Sequence, residues 1–187
     1  MRYIGDVHAK FELYQTLLSS CLHSIQVGDF GAGFVTLPNI SINHRFIRGN
    51  HDNPAICRKS PNWIPDVTYE DETFFLGGAY SIDQSSRTIG KDWWDDEELS
   101  HQELSKAIDL YEVWKPRIVV THDAPQSIMR GLFPYSHISS RTANALDAMF
   151  DIHKPELWIF GHFHRDIAVT RNGTKFICLA ELSYIDI

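Results

Sequence analysis

Five times along this chain a short run of β-branched or aromatic residues is followed closely by a small fragment of aspartate, asparagine or histidine. The fragments are Gly5-Asp6-Val7-His8, Gly28-Asp29-Phe30-Gly31, Gly49-Asn50-His51-Asp52, Thr121-His122-Asp123 and Gly161-His162-Phe163-His164. The preceding runs, Arg2–Ile4, Ser24–Val27, Arg45–Ile47, Arg117–Val120 and Leu157–Phe160, together with Thr73–Leu76, have the length and composition of buried strands. Helical patterns lie between several of them: Phe11 to Cys21 with Tyr14, Leu17, Leu18 and Cys21 on one face, Ala143 to Ile152, and the clearest from Asp96 to Trp114. This alternation predicts an α/β fold. In such a sheet the loops at the carboxyl ends of the strands converge on one crevice, so fragments distant in sequence are expected to meet.

The 187 residues suit a single domain spanning 1–187. Asp95 to Glu98 sit where the positive end of a helix favours carboxylates, so they are expected to cap the Asp96–Trp114 helix, which Pro116 ends. Near the C-terminus, Asn172-Gly173 between Ile167–Thr170 and Lys175–Leu179 suits a two-residue hairpin turn. Residues 60–72, with Pro61 and Pro65, read as the long loop. Cys21, Cys57 and Cys178 form no C-x-x-C pair, which points to a reduced, cytoplasmic setting. The opening residues lack a cationic segment leading into an apolar one, and no apolar stretch is long enough to span a bilayer, so no membrane partner is expected. A net charge of −7 argues against duplex nucleic acid as a partner, unless a bound metal reverses the sign locally. Oligomeric state cannot be read from the chain.

Five of the ten histidines fall inside the fragments, with four aspartates and Asn50, all carrying oxygen or imidazole-nitrogen donors. A lone histidine after a strand is ordinarily a hydrogen-bonded structural residue, and Gly-Asp alone is ordinarily a turn. Five fragments in series, each at a strand end, point instead to a shared metal site.

The ordered series D-x-H, G-D, G-N-H-[DE], a later histidine and G-H-x-H resembles the signature of the calcineurin-like metallophosphoesterases, from Asp6 to His164. The resemblance implies a four-layer α/β/β/α sandwich of two mixed sheets flanked by helices. It further implies two divalent metals: Asp6, His8, Asp29 and His164 would hold one, and Asp29, Asn50, His122 and His162 the other, with Asp29 shared. His51 would point at the leaving-group oxygen, as general acid or charge stabiliser.

The chemistry of such a set is coherent. Two divalent cations bring four positive charges, two carboxylates remove two and a bridging hydroxide a third, leaving a surplus suited to a phosphodiester. Mixed imidazole and carboxylate donors favour transition ions, Mn²⁺ foremost, with Fe, Ni, Co or Zn as alternatives, over Mg²⁺. Two further residues are candidates for the catalytic machinery. Asp52 either orients His51 or caps the turn before Pro54, and Arg48 either reaches a phosphate oxygen or forms a plain salt bridge.

One departure from the family pattern bears on substrate. Phosphoprotein phosphatases follow the second Gly-Asp with Asp-Arg-Gly, whereas here the corresponding stretch is Ala32-Gly33-Phe34, which removes the phosphate-gripping arginine. The expected activity is therefore hydrolysis of phosphodiesters in small or nucleotide-like substrates by a hydroxide that two metals activate. A phosphomonoesterase or protein phosphatase, and a non-catalytic scaffold of the same fold, are the alternatives. Trp93 and Trp94 offer either a stacking face for a base or core packing. Arg87 has no assignable metal role, and Tyr135 and His137 are candidate pocket residues.

Overall fold

The computed structural model describes residues 1–133 and 139–187, so Tyr135 and His137 lie outside the described residues. In chain order the elements are β1 (Arg2–Ile4), α1 (Phe11–Leu18), β2 (Ser24–Gln26), β3 (His44–Phe46), α2 (Pro54–Cys57), β4 (Thr68–Glu70), β5 (Thr73–Leu76), α3 (His101–Trp114), β6 (Ile118–Thr121), α4 (Gln126–Leu132), α5 (Arg141–Ile152), β7 (Leu157–Phe160), β8 (Ile167–Arg171), β9 (Thr174–Cys178) and β10 (Tyr184–Asp186). They build two mixed sheets, one ordered β10-β1-β2-β3 and the other β4-β5-β6-β7-β9-β8. Within each, the central strands are parallel and the outer pairings β1–β10, β4–β5 and β8–β9 are antiparallel.

The layering follows from side-chain alternation along the strands. In the larger sheet, Phe75, Val120, Ile159 and Ile177 face Tyr3, Ile25, Val27 and Ile47 of the smaller one, forming the layer between sheets. Their neighbours Phe74, Val119, Trp158, Phe160 and Phe176 point the other way, onto Leu104, Ala107 and Tyr111 of α3 and Leu146, Met149 and Phe150 of α5. On the far side of the smaller sheet, Ile4 and Phe46 pack with Tyr14 and Leu18 of α1 and with Phe30. Three apolar layers separate four layers of backbone, which is the expected α/β/β/α sandwich. Both faces of both sheets are covered, so β5, β6 and β7 of the larger sheet read as near-continuous apolar runs, while β1, β2 and β3 of the smaller sheet bury polar residues such as Arg2, Gln26 and His44.

Several elements depart from the sequence reading. The helix expected from Asp96 begins at His101, where Ser100 and Glu103 form a reciprocal capping box. Glu97 and Glu98 precede it as buried braces: Glu97 accepts from the Ser81 backbone and hydroxyl, and Glu98 from the Thr142 backbone. The helix closes on Lys115 in the left-handed region, one residue before Pro116. Residues 60–72 are not all loop, since Thr68–Glu70 pairs with β5 as an edge strand. The hairpin is as expected, with Asn172 and Gly173 at φ 50° and 86° between β8 and β9.

Candidate metal centre

β1, β2 and β3 run parallel, as do β5, β6 and β7, and the fragments after β1, β2, β3, β6 and β7 meet where the carboxyl ends of the two sheets adjoin. Two groups of donors form there: Asp6, His8, Asp29 and His164, and Asp29, His122 and His162, with the ligand atoms of each group within 4.8 Å of one another. Asp29 belongs to both. Its Oδ2 lies 3.9 Å from His8 Nε2, and its Oδ1 lies 3.4 Å from His122 Nε2. Asn50 completes the second group, its Oδ1 being 3.1 Å from His122 Nε2.

Four of the donors have a strained backbone. His8, Asp29, His162 and His164 all have positive φ, between 46° and 67°, a conformation that costs free energy and concentrates at functional sites. Gly28, at φ 106°, supplies the expected sharp turn. Gly49 and Gly161 do not have positive φ; they serve as clearance, because a Cβ there would collide with the carboxylates of Asp29 and Asp6 respectively.

Neighbouring groups orient the donors. The His122 Nδ1–H is given to the Val27 carbonyl at 2.9 Å, which turns Nε2 toward Asn50 and Asp29. The amide of Asn50 donates from Nδ2 to Ser81 Oγ at 2.9 Å, and Ser81 donates in turn to Glu97 at 2.5 Å. That chain fixes the amide so that its carbonyl oxygen faces the centre. With Nδ1–H committed to Val27, His122 Nε2 and Asn50 Oδ1 are two acceptors face to face, and such a contact needs a proton or a cation between them. Asp6 Oδ2 is wholly buried, with His164 Nε2 at 3.1 Å as a polar neighbour and no hydrogen bond satisfying it. A buried orphan carboxylate oxygen beside imidazole nitrogens fits a metal ion.

The electrostatics show what the donors do without a cation. Burial alone would lower the pKa of His122, yet the Asp29 and Asp6 carboxylates outweigh it and push it up to about 10. Asp29 is held far below the usual carboxylate range: burial opposes this, and His122, His51 and His8 outweigh the burial. A proton on His122 thus takes the place of positive charge that the carboxylates demand. His162 goes the other way, held down at about 3 by burial and by the charge of His122, so its nitrogen is a free donor.

His51 lies in the cleft, its Nε2 3.9 Å from Asp29 Oδ2, while its backbone N–H is bound to Asp29 Oδ1. The other two candidates for the catalytic machinery are placed differently. Asp52 is fully buried and accepts from the backbone N–H groups of Phe30, Gly31, Ala32 and Gly49. It neither orients His51 nor caps α2, whose N-cap is Asn53; it clamps the loop carrying Asp29 to the loop carrying Asn50. Arg48 is 2% exposed and turned away from the cleft, with Nε on Asp66 at 2.7 Å and Nη1 on the carbonyls of Asp96 and Glu97. Its salt bridge, rather than a substrate phosphate, accounts for it.

A cleft of about 610 Å³ opens over the centre. One wall is Tyr80, Ile82, Asp83 and Arg87, and the other is apolar, with Met129 and the stacked rings of Phe133 and Phe163 at 4.4 Å. Trp93 and Trp94 do not line it; Trp94 is buried against Phe34. Asp123, also on the cleft, is pushed up to about 7 by burial. Sequence reasoning missed Ser81, and it named Arg87 and Glu97 without the place on the cleft wall and the bond to Ser81 that the structure gives them. The only sequence signal for Arg87 is its spacing of four from Asp83, and nothing local links Ser81 to Asn50 or Glu97.

The family model of the calcineurin-like phosphoesterases matches residues 3–166, a span that takes in every donor named above. The chain belongs to this family. Calcineurin-like phosphoesterases are dinuclear metal-dependent hydrolases of phosphoric esters, and the Asp/His groups described here are ones that could hold metal. Two solved structures share the fold. TT1561 of Thermus thermophilus has a TM-score of 0.58 at 10% identity, over 97% of this chain and 90% of its own. Phosphopantetheinyl hydrolase (PptH) from Mycobacterium tuberculosis has 0.53 at 12%, over 96% and 89%. No curated protein sequence matches the chain. Among the described residues, no helix is long and apolar enough to cross a membrane.

Proposed function

We propose that the protein hydrolyses phosphodiester bonds of small or nucleotide-like substrates, using two divalent transition metals held by Asp6, His8, Asp29 and His164 and by Asp29, Asn50, His122 and His162. The observation that carries this reading is the pair of donor groups sharing Asp29 at the floor of the cleft. When bound, such a metal pair supplies Lewis acidity to the phosphoryl oxygens and lowers the pKa of the attacking water. The chain's own residues do the rest. Asp6 and Asp29 set the net charge of the floor, and the neutral amide of Asn50 keeps it from falling further. The His51 imidazole, beside Asp29 and open to the cleft, is placed to give a proton from Nε2 to the leaving oxygen. The apolar wall of Met129, Phe133 and Phe163 suits the second ester arm of a diester, above all a planar one.

The test uses chelated protein reloaded separately with Mn²⁺, Fe²⁺, Co²⁺, Ni²⁺ and Zn²⁺ and assayed on an aryl phosphodiester and the matching monoester. Faster turnover of the diester is expected. Preference for the monoester would reassign the substrate class, and no hydrolysis with any ion would leave a non-catalytic scaffold.

A further inference from the structure

We propose that Arg87 grips the phosphoryl group of the substrate, a role that rests on the phosphoesterase reading above. A phosphoryl group is an anion, and where the related phosphoprotein phosphatases carry an arginine this chain has Ala32-Gly33-Phe34. Arg48, the arginine that precedes the Gly49-Asn50-His51-Asp52 fragment, is sealed in by Asp66 and two backbone carbonyls. Among the described residues that line the cleft, Arg87 is the sole lysine or arginine.

Its geometry is that of an arginine already ordered for binding. Nε and Nη2 each donate to the Asp83 carboxylate at 2.7 Å, and Nη1 donates to the Asp92 carbonyl at 3.0 Å. Asp83 thereby occupies one edge of the fork and holds the long side chain against the cleft wall, so little rotamer freedom is left to lose when a ligand arrives. The remaining Nη2 N–H is aimed at His51 Nε2 at 3.3 Å. A guanidinium can only donate, so the imidazole nitrogen is the acceptor. The contact, at 3.3 Å, is long. A phosphoryl oxygen would accept the same N–H as a shorter, charge-assisted bond. Transfer of that N–H from imidazole to substrate fixes the phosphoryl group and releases His51 Nε2 from the arginine.

The experiment compares metal-loaded wild type with Arg87→Met and Arg87→Lys, measuring metal content, KM and kcat for the aryl phosphodiester, and the affinity for inorganic phosphate by calorimetry. In Arg87→Met, KM and the phosphate Kd are both expected to rise about 10–100-fold, the range for losing a hydrogen bond to a charged group, with metal content unchanged. Arg87→Lys should recover part of the loss, since it keeps the charge without the fork. Phosphate affinity equal to wild type in Arg87→Met overturns the proposal, and so does a fall in kcat alone, which would confine Arg87 to acting on His51. A wild type that binds phosphate through Arg87 yet hydrolyses no ester refutes the phosphoesterase reading and leaves the phosphate grip standing.

Discussion

The two donor groups share a carboxylate, and each has a buried member besides it, Asp6 in one and His122 in the other, but the rings around them are held differently. His122 and Asn50 are buried and each is locked from behind, His122 by the Val27 carbonyl and Asn50 by Ser81 and Glu97. In the other group His164 is half exposed and His8 is partly open, their Nε2 atoms only 3.0 Å apart with no backbone group fixing either ring. Burial and fixed orientation lower the cost of assembling a ligand sphere, so under the proposed two-metal reading the inner position, that of His122 and Asn50, is expected to retain a cation better than the outer one. A dinuclear centre need not be symmetrical even when its donors come from one set of motifs.

The largest effect tests the shared element. Asp29→Asn should abolish binding at both positions, measured as metal per chain after dialysis, and retention of one full equivalent would break the idea that the groups depend on a common ligand. His164→Ala should empty only the outer position and His122→Ala should cost the inner one; equal losses from the two variants would erase the asymmetry. His51 belongs to neither group, so His51→Ala should keep both metals while turnover falls roughly 10²–10⁴-fold, the range for a positioned proton donor. Ser81→Ala frees the Asn50 amide to flip, and should weaken the inner position alone by about 10–100-fold, as loss of an orienting partner does.

The smallest effect is in pH. In the metal-free protein the His122 pKa of about 10 lies above its ordinary 6.5, so its pairing with Asp29 contributes full stability below pH 6.5 and loses it as pH rises through 10. The thermal midpoint in chelator should fall across that window, and His122→Asn should flatten the slope. A cation must displace that proton, so metal affinity should weaken toward acidic pH.

Most of the donor set was legible because each member follows an apolar strand by a few residues, a local pattern that also dictates where the strand must end. The parallel strands were legible for the same reason, being buried on both faces. What could not be read locally was any role settled by a distant partner. Arg48 and Asp52 sit inside a catalytic-looking fragment, yet Asp66 and four backbone N–H groups decide what they do. Glu97 looks like the start of a helix, but its carboxylate is taken by Ser81, sixteen residues back. The edge strands Thr68–Glu70 and Tyr184–Asp186 are short and partly exposed, so they lack the apolar run that announces a central strand.

The strand β10 has a consequence for synthesis. It pairs with β1, and just before it Leu182 donates its N–H to the Asp6 carbonyl and Ser183 accepts from the Gly5 N–H, so the first donor loop is braced by residues far downstream of it. A nascent chain still lacking them holds all ten histidines but an unsupported Asp6 loop. The Asp6 loop therefore gains these backbone partners only once residues 182–186 have joined β1.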